Sequence, residues 1–294
     1  MPDAAQILQA LVNGLSVGCI YGLIGIGFAV IYNASGIVNF AQGVFVMLGG
    51  MVTHALLSML GLPMIISAAL AVVIVMAMGL IVEYLVIRPM WVRNAPLYAI
   101  ILATLACQIM VEKLAIILGG DQPRTFASFT AGGPFKIGKV AINYQAVWIL
   151  ACSAILVALL WAFFAHTRTG RALRACAQNR EAAALLGIPV MRMLALSFAL
   201  SAGLGAIAGI LITPTQYTAF NVGEAFGISG FIAAIMGGFG NAFGALIGGV
   251  LLGVVQALAI VLFGAAFKNV IALSMMLVVL VCFPNGLLKG FVRG

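Results

Sequence analysis

The chain has 294 residues, 65% of them hydrophobic and only 7% charged, with a mean hydropathy of +1.25. A water-soluble domain cannot hide so much apolar surface, so the composition selects a polytopic helical membrane protein. The formal charge of +8 sits in loops between apolar segments and at the C-terminus, which fits bilayer orientation rather than a nucleic-acid partner.

In chain order, apolar segments of spanning length fall at 7–31, 35–59, 63–87, 96–118, 145–165, 193–212, 242–263 and 268–288. Each is long enough for a hydrocarbon core of about 30 Å at about 1.5 Å per residue. A shorter run, 226–237, ends in Gly237-Gly238-Phe239-Gly240-Asn241, which marks a broken or re-entrant element. The fold class is therefore all-α: about eight full spans plus this short element, one transmembrane domain over 1–294. The N-terminus lacks the basic n-region and small-residue cleavage site of a signal peptide. Five scattered cysteines carry neither metal-ligand spacing nor a disulfide pattern.

The most informative loop is 166–192, with five arginines against one glutamate, which places it in the cytoplasm. Within it Asn179 is a good N-cap, Arg180 to Leu186 favour helix, Gly187 suits the left-handed C′ position, and Pro189 forbids continuation. Ala182, Leu185 and Leu186 then form a small apolar ridge on a short helix offered to the cytoplasm. The 88–95 loop (Arg88, Arg93) and the tail (Lys289, Arg293) share that side. The 119–144 loop, with Asp121, Arg124, Lys136 and Lys139, is external by alternation. If 226–237 counts as a crossing, the N-terminus lies outside, unless 35–59 is itself broken.

Glycines recur at four-residue spacing at 14, 18 and 22, at 205 and 209, at 244 and 248, and at 249 and 253. Such faces let helix backbones approach closely in lipid. A faint internal symmetry links Asn33 to Gly50 with Asn221 to Gly238, the pattern of paired interrupted segments around a transport path.

No enzyme constellation or nucleotide-binding loop occurs, so pumping energy must come from an ion gradient or another polypeptide. Glu83 is expected as a boundary anchor near Arg88, Glu112 as a snorkelling or partnered acid, and Glu224 as a solvated approach to the short element or its gate. Asn39 and Gln42, followed by Gly43, are candidates either for lining a path or for bonding neighbouring helices. An uncharged route with a few amides suits a zwitterionic or neutral solute.

Glu181-Ala182-Ala183-x-x-x-Gly187 resembles the EAA signature of ABC importer permeases, without the isoleucine and proline farther on. The 36–43 segment, Glu83 with Arg88-Pro89, 167–175, 231–240 and Pro284-Asn285-Gly286 are similar to branched-chain amino acid permeases, of the shorter LivH type. The resemblance implies a pore subunit paired with a homologous second permease, driven by two cytoplasmic ATPases and supplied by an extracytoplasmic solute-binding protein. It implies a bacterial plasma (inner) membrane location and ATP used by the partner subunits, with no cofactor or metal held by this chain. By the same resemblance Arg180, Glu181, Ala182, Ala183, Leu185, Leu186 and Gly187 couple to the ATPase. Asn39, Gln42, Gly43, Glu224, Gly237 and Gly238 are the candidates for the path. Permeases for urea, short amides or other amino acids share much of the pattern, and a stand-alone carrier or channel is the alternative of a different class.

Overall fold

A computed structural model describes residues 4–130, 132–137, 140–283 and 286–287. Lys139, Lys289 and Arg293, together with Pro284 and Asn285, lie outside the described residues. The helices are α1 (Ala4–Ser35), α2 (Gln42–Leu60), α3 (Met64–Val82), α4 (Arg88–Val92), α5 (Leu97–Gly119), α6 (Tyr144–His166) and α7 (Arg168–Gln178). They continue with α8 (Arg180–Leu185), α9 (Val190–Gln216), α10 (Val222–Gly237), α11 (Ala242–Phe263) and α12 (Lys268–Cys282). A π-helical turn, Glu83–Ile87, joins α3 to α4, and an antiparallel hairpin of β1 (Phe135–Ile137) and β2 (Val140–Ile142) sits in the 120–143 loop. Among the described residues eight helical segments are long and apolar enough to cross a membrane, and α10 is a shorter apolar helix. The chain is thus a multi-pass membrane protein. Helices dominate because the bilayer core offers backbone N–H and C=O groups no other partners.

Two helices form the centre. The most apolar window of α1 is 89% buried and that of α9 78%, against 11% for α6 and for the segment containing α12. Around this pair the chain packs in two crossed halves. In one, α1 runs antiparallel to α11, with Gly14, Gly18 and Gly22 against Gly253, Val250 and Leu246. It also runs parallel to α10, with Tyr21 on Phe226 and Gly25 against Gly230. In the other, α9 runs antiparallel to α3 through Ala202 on Gly79, and parallel to α2 through Gly205 on Phe45 and Gly209 on Val46. Each half's first helix therefore packs on the second and third helices of the other half. The faint sequence symmetry is real in the fold, and it relates elements of opposite direction.

The regularly spaced glycines are the means. A side chain on Gly249 would strike the backbone of Gly22, and one on Gly253 would strike Gly14 and Gly18. Helix association in lipid depends on such close packing because apolar burial gives no drive there.

The two interrupted segments meet. Gly43, in the first turn of α2, lies against Gly223 and Gly227 at the start of α10, and Met47 packs on Gly223. Phe226 pairs with Tyr21 at 5.9 Å, near the midpoint of α1, so both N-termini begin deep in the bundle. The predicted span 35–59 is accordingly corrected: α1 runs on to Ser35, and a non-helical strap, 36–41, turns back into the protein before α2 begins. The short element likewise starts four residues earlier than the apolar run indicated. The last span is also shorter than 268–288, since α12 ends at Cys282.

Local contacts fix the sides. Gln9 near the start of α1 exchanges two 2.9 Å hydrogen bonds with the backbone of Ala141 in the hairpin. Arg124 and Thr218 exchange backbone hydrogen bonds of 2.8 and 2.7 Å at that same end. At the other end Asn33 donates to the carbonyl of Gly240 at 2.7 Å, and the Leu287 N–H donates to Met236 at 2.9 Å. The start of α1 and the end of α12 thus lie on opposite sides. This is the odd parity expected when α10 counts as a crossing, and it puts the start of α1 with the 120–143 loop.

Candidate functional site

The arginine-rich loop folds into two helices. The first, α7, was not legible as a helix in the basic stretch 166–178. Thr167 caps it by accepting from the Gly170 N–H at 2.9 Å, and Gly170, Leu173 and Cys176 are buried at three-residue intervals while Arg168, Arg171 and Arg174 do not share their face. Thr167 followed by an apolar residue at every third position was the available signal. Leu173 and Cys176 join Ala34, Ala183 and Met193 in one small core, so the loop is a rigid bracket on the bundle.

The second, α8, lies where the capping residues put it. Asn179 Oδ1 accepts from the Ala182 N–H at 3.0 Å, and Gly187 has φ +79°, which a residue with a Cβ rarely adopts. Ala183 is buried and anchors the helix. Leu185 and Leu186 are 89% and 82% exposed, and Glu181 and Ala182 are exposed beside them. Two bare leucines on a loop at the aqueous end of the bundle cost solvation free energy that only a partner removes.

Arg180 points elsewhere. Its guanidinium lies 4.9 Å over the ring of Trp91, the residue of α4 that faces this loop. Burial lowers its pKa from the ordinary arginine value, and arginine remains a cation throughout the working pH range. A cavity of about 520 Å³ at this place is lined by Gly36, Ile37, Trp91, Asn94, Arg180 and Glu181, among others. The 88–95 loop and the 166–192 loop are therefore neighbours on one side, as their shared basic character predicts.

Directly behind this cavity the strap leads to the candidate path residues. Side chains accept from three of its backbone N–H groups. Ser35 Oγ accepts from the Ile37 N–H at 3.1 Å, Thr104 Oγ1 from Phe40 at 3.2 Å, and Asn39 Oδ1 from Ala41 at 3.1 Å. Asn39 is fully buried, and its Nδ2 has no hydrogen-bond partner among the described residues. Gln42, also fully buried, is partnered on both its nitrogen and its oxygen. It donates to the Ser201 carbonyl at 3.1 Å and accepts from Ser201 Oγ at 2.6 Å, so it bonds α2 to α9. The two amides thus part company: Gln42 binds a neighbouring helix, and Asn39 retains an unused donor.

The glycines of the candidate path are contact points. Gly43 seats α10 on α2, Gly237 is pressed against Gly244 and Ala245 of α11, and Gly238 ends α10 with φ +90°. Glu224 is exposed in the first turn of α10, with Glu112 of α5 close enough for the two charges to interact. Glu112 accepts from Gln108 at 3.2 Å, one turn earlier on its own helix. Glu83 is only 2% exposed inside the π-helical turn, one of its carboxylate oxygens lacks a partner among the described residues, and Arg88 lies over Tyr84 at 5.6 Å. It is an acid buried within the protein at the cytoplasmic end of α3.

Residues 10–280 match the family model described as "Branched-chain amino acid transport system / permease component". The chain is 34% identical over 303 residues to the high-affinity branched-chain amino acid transport system permease protein BraD of Pseudomonas aeruginosa, covering 98% of this chain and 97% of that protein. It is 32% identical over 298 residues to the corresponding permease protein LivH of Escherichia coli, covering 96% and 95%. Among solved structures, PsaBC from Streptococcus pneumoniae in complex with Fab superposes with a TM-score of 0.52 at 15% identity, over 93% of this chain and 90% of that one, a likeness of fold.

Proposed function

This chain belongs to the branched-chain amino acid transport permease family, and on that footing we propose that it forms half of the membrane pathway of an ATP-driven importer for leucine, isoleucine and valine. The observation that carries the coupling half of this proposal is α8, a capped helix whose Leu185 and Leu186 are bare to water on an otherwise well-packed bracket. In this reading Glu181, Ala182, Ala183, Leu185, Leu186 and Gly187 form the knob that enters a cleft on a cytoplasmic ATPase. Two such ATPases hydrolyse ATP, a homologous second permease completes the pathway, and an extracytoplasmic binding protein delivers the solute. The chain itself binds no nucleotide, cofactor or metal and catalyses no chemical reaction, and its membrane is the bacterial inner membrane.

The paired broken helices supply the access route. Their N-termini converge deep in the bundle, and helix N-termini carry partial positive charge suited to a carboxylate. Asn39 holds a spare amide donor on the strap, and Glu224 stands at the opposite end on α10. A zwitterion with a small apolar side chain matches this combination of one anion-favouring and one cation-favouring end.

The test is purification of the tagged chain in mild detergent from its native membrane, followed by reconstitution of whatever copurifies. The expected result is recovery of ABC ATPases and ATP-dependent leucine uptake inhibited by isoleucine and valine. Leu185→Asp with Leu186→Asp should remove the ATPases while leaving membrane insertion intact. A chain that comes down alone and transports without ATP overturns the proposal, and uptake blocked by urea or acetamide but not by valine reassigns the solute.

A further inference from the structure

Arg180 is the one residue of the coupling loop that faces inward with its charge, and its surroundings are specific. Its guanidinium lies 4.9 Å over the Trp91 ring. It also lies against Gly36, where a methyl group would stand 2.5 Å from Nη2. Gly36 has φ +64°, so glycine is required there by conformation as well as by space. Trp91 sits on α4, which continues α3 through the π-helical turn, a distortion common where helices serve function. Gly36 opens the strap that ends at Asn39 and Gln42, and the same cavity wall carries Glu181 of α8. Three elements remote in sequence therefore meet at one side chain: the coupling helix, the end of α3–α4, and the hinge of the broken α1–α2 pair.

The contact type matters. A cation in close contact with both an aromatic ring and bare backbone passes its own displacement on to them, with no directional hydrogen bond to break. A docking contact would face the solvent with Leu185 and Leu186, which Arg180 does not. A filler would need no charge and no aromatic platform.

We propose that Arg180 is the positioning residue that carries movement of α8 to the 36–41 strap and to α4, so that the deep end of α2 follows the coupling helix. This rests on the importer reading above. The coupling helix pushes the guanidinium, the guanidinium bears on Gly36 and Trp91, and the strap shifts Asn39 and the start of α2.

The experiment compares variants in the full transporter, reconstituted with its ATPases and binding protein, and reads leucine taken up per ATP hydrolysed. Arg180→Gln, Gly36→Ala and Trp91→Ala should each lower that ratio by about tenfold while the ATPases still copurify, and Trp91→Phe and Arg180→Lys should keep part of it. The Trp91→Ala/Arg180→Gln double variant should be no worse than either single one, because both break the same link. Loss of ATPase copurification in Arg180→Gln but not in Trp91→Ala would make Arg180 a docking contact and overturn the proposal. An unchanged ratio in all variants, or additive losses in the double variant, would also overturn it. If the glutamine or alanine variants do not assemble, the graded response of Arg180→Lys and Trp91→Phe decides the question. Failure of the importer reading shows separately, as a wild-type complex without ATP-dependent uptake.

Discussion

At the scale of single residues the buried polar groups divide into closed and open sets. Gln42 and Ser201 are both fully buried and satisfy one another, and Ser201 also lies 2.8 Å from the Gly27 carbonyl. They tie α2, α9 and α1 together at the depth where α2 begins. Removing the Ser201 hydroxyl leaves the Gln42 oxygen unpaired in a buried position, which costs about 1–3 kcal/mol, and removing the Gln42 amide strips the bonds it makes to Ser201. Gln42→Leu and Ser201→Ala should therefore each lower thermal stability in detergent, and the double variant should lose clearly less than the sum. Additive losses would show that the two side chains do not depend on one another. Asn39, Glu83, Ser153 and Gln256 form the open set, each fully or almost fully buried with an unsatisfied side-chain atom among the described residues. Sequence alone marks all of these polar residues as costly in lipid. It does not say which of them finds a partner, because Ser201 lies 159 positions from Gln42.

At the scale of elements the fold depends on backbone contact between helices more than on large side chains. The α1–α11 pair is the clearest case, with Gly14, Gly18 and Gly22 facing Gly249 and Gly253. Gly249→Val puts a branched side chain where the backbone of Gly22 runs. Overpacking of this kind costs about 1–3 kcal/mol even where the surroundings adjust. The expected outcome is a broader, earlier-melting species by size-exclusion chromatography and thermal shift. By contrast Gly264→Ala, at φ +92° with no neighbour within reach, should cause only a modest backbone penalty. Equal effects would remove the packing argument. The four-residue spacing was visible in the sequence, but the pairing of faces was not, since any small-residue stripe can serve any other.

At the scale of the molecule, two crossed halves enclose a deep meeting point of two helix N-termini, with the arginine-rich bracket of α7 and α8 on one side only. The arrangement makes a topological prediction. In a background with its five native cysteines replaced, a cysteine at Gln122 should react with a membrane-impermeant thiol reagent in intact cells. A cysteine at Arg171 or Ala184 should react only after permeabilisation. An epitope on the N-terminus should be reached from outside, because Gln9 is bound to the Gln122 side through Ala141. Labelling of Arg171 from outside would invert the orientation.

The sequence by itself determined the class, the spanning segments, the short broken element and the capped helix of the arginine-rich loop. These are decided locally: by apolar run length against a fixed bilayer thickness, by charge asymmetry, and by capping residues within a turn of the helix they cap. Tertiary structure alone decided that 36–41 is a strap rather than part of a span, that 168–178 is a helix, that Glu83 is interior, and that Arg180 turns inward to Trp91 and Gly36. Each of these depends on a partner far away in the chain. Thr104 accepts from the strap, Ala34 packs with Leu173 and Cys176 of α7, and Trp91 receives the guanidinium. A backbone may leave the helix inside a membrane only where such distant groups replace the hydrogen bonds it gives up.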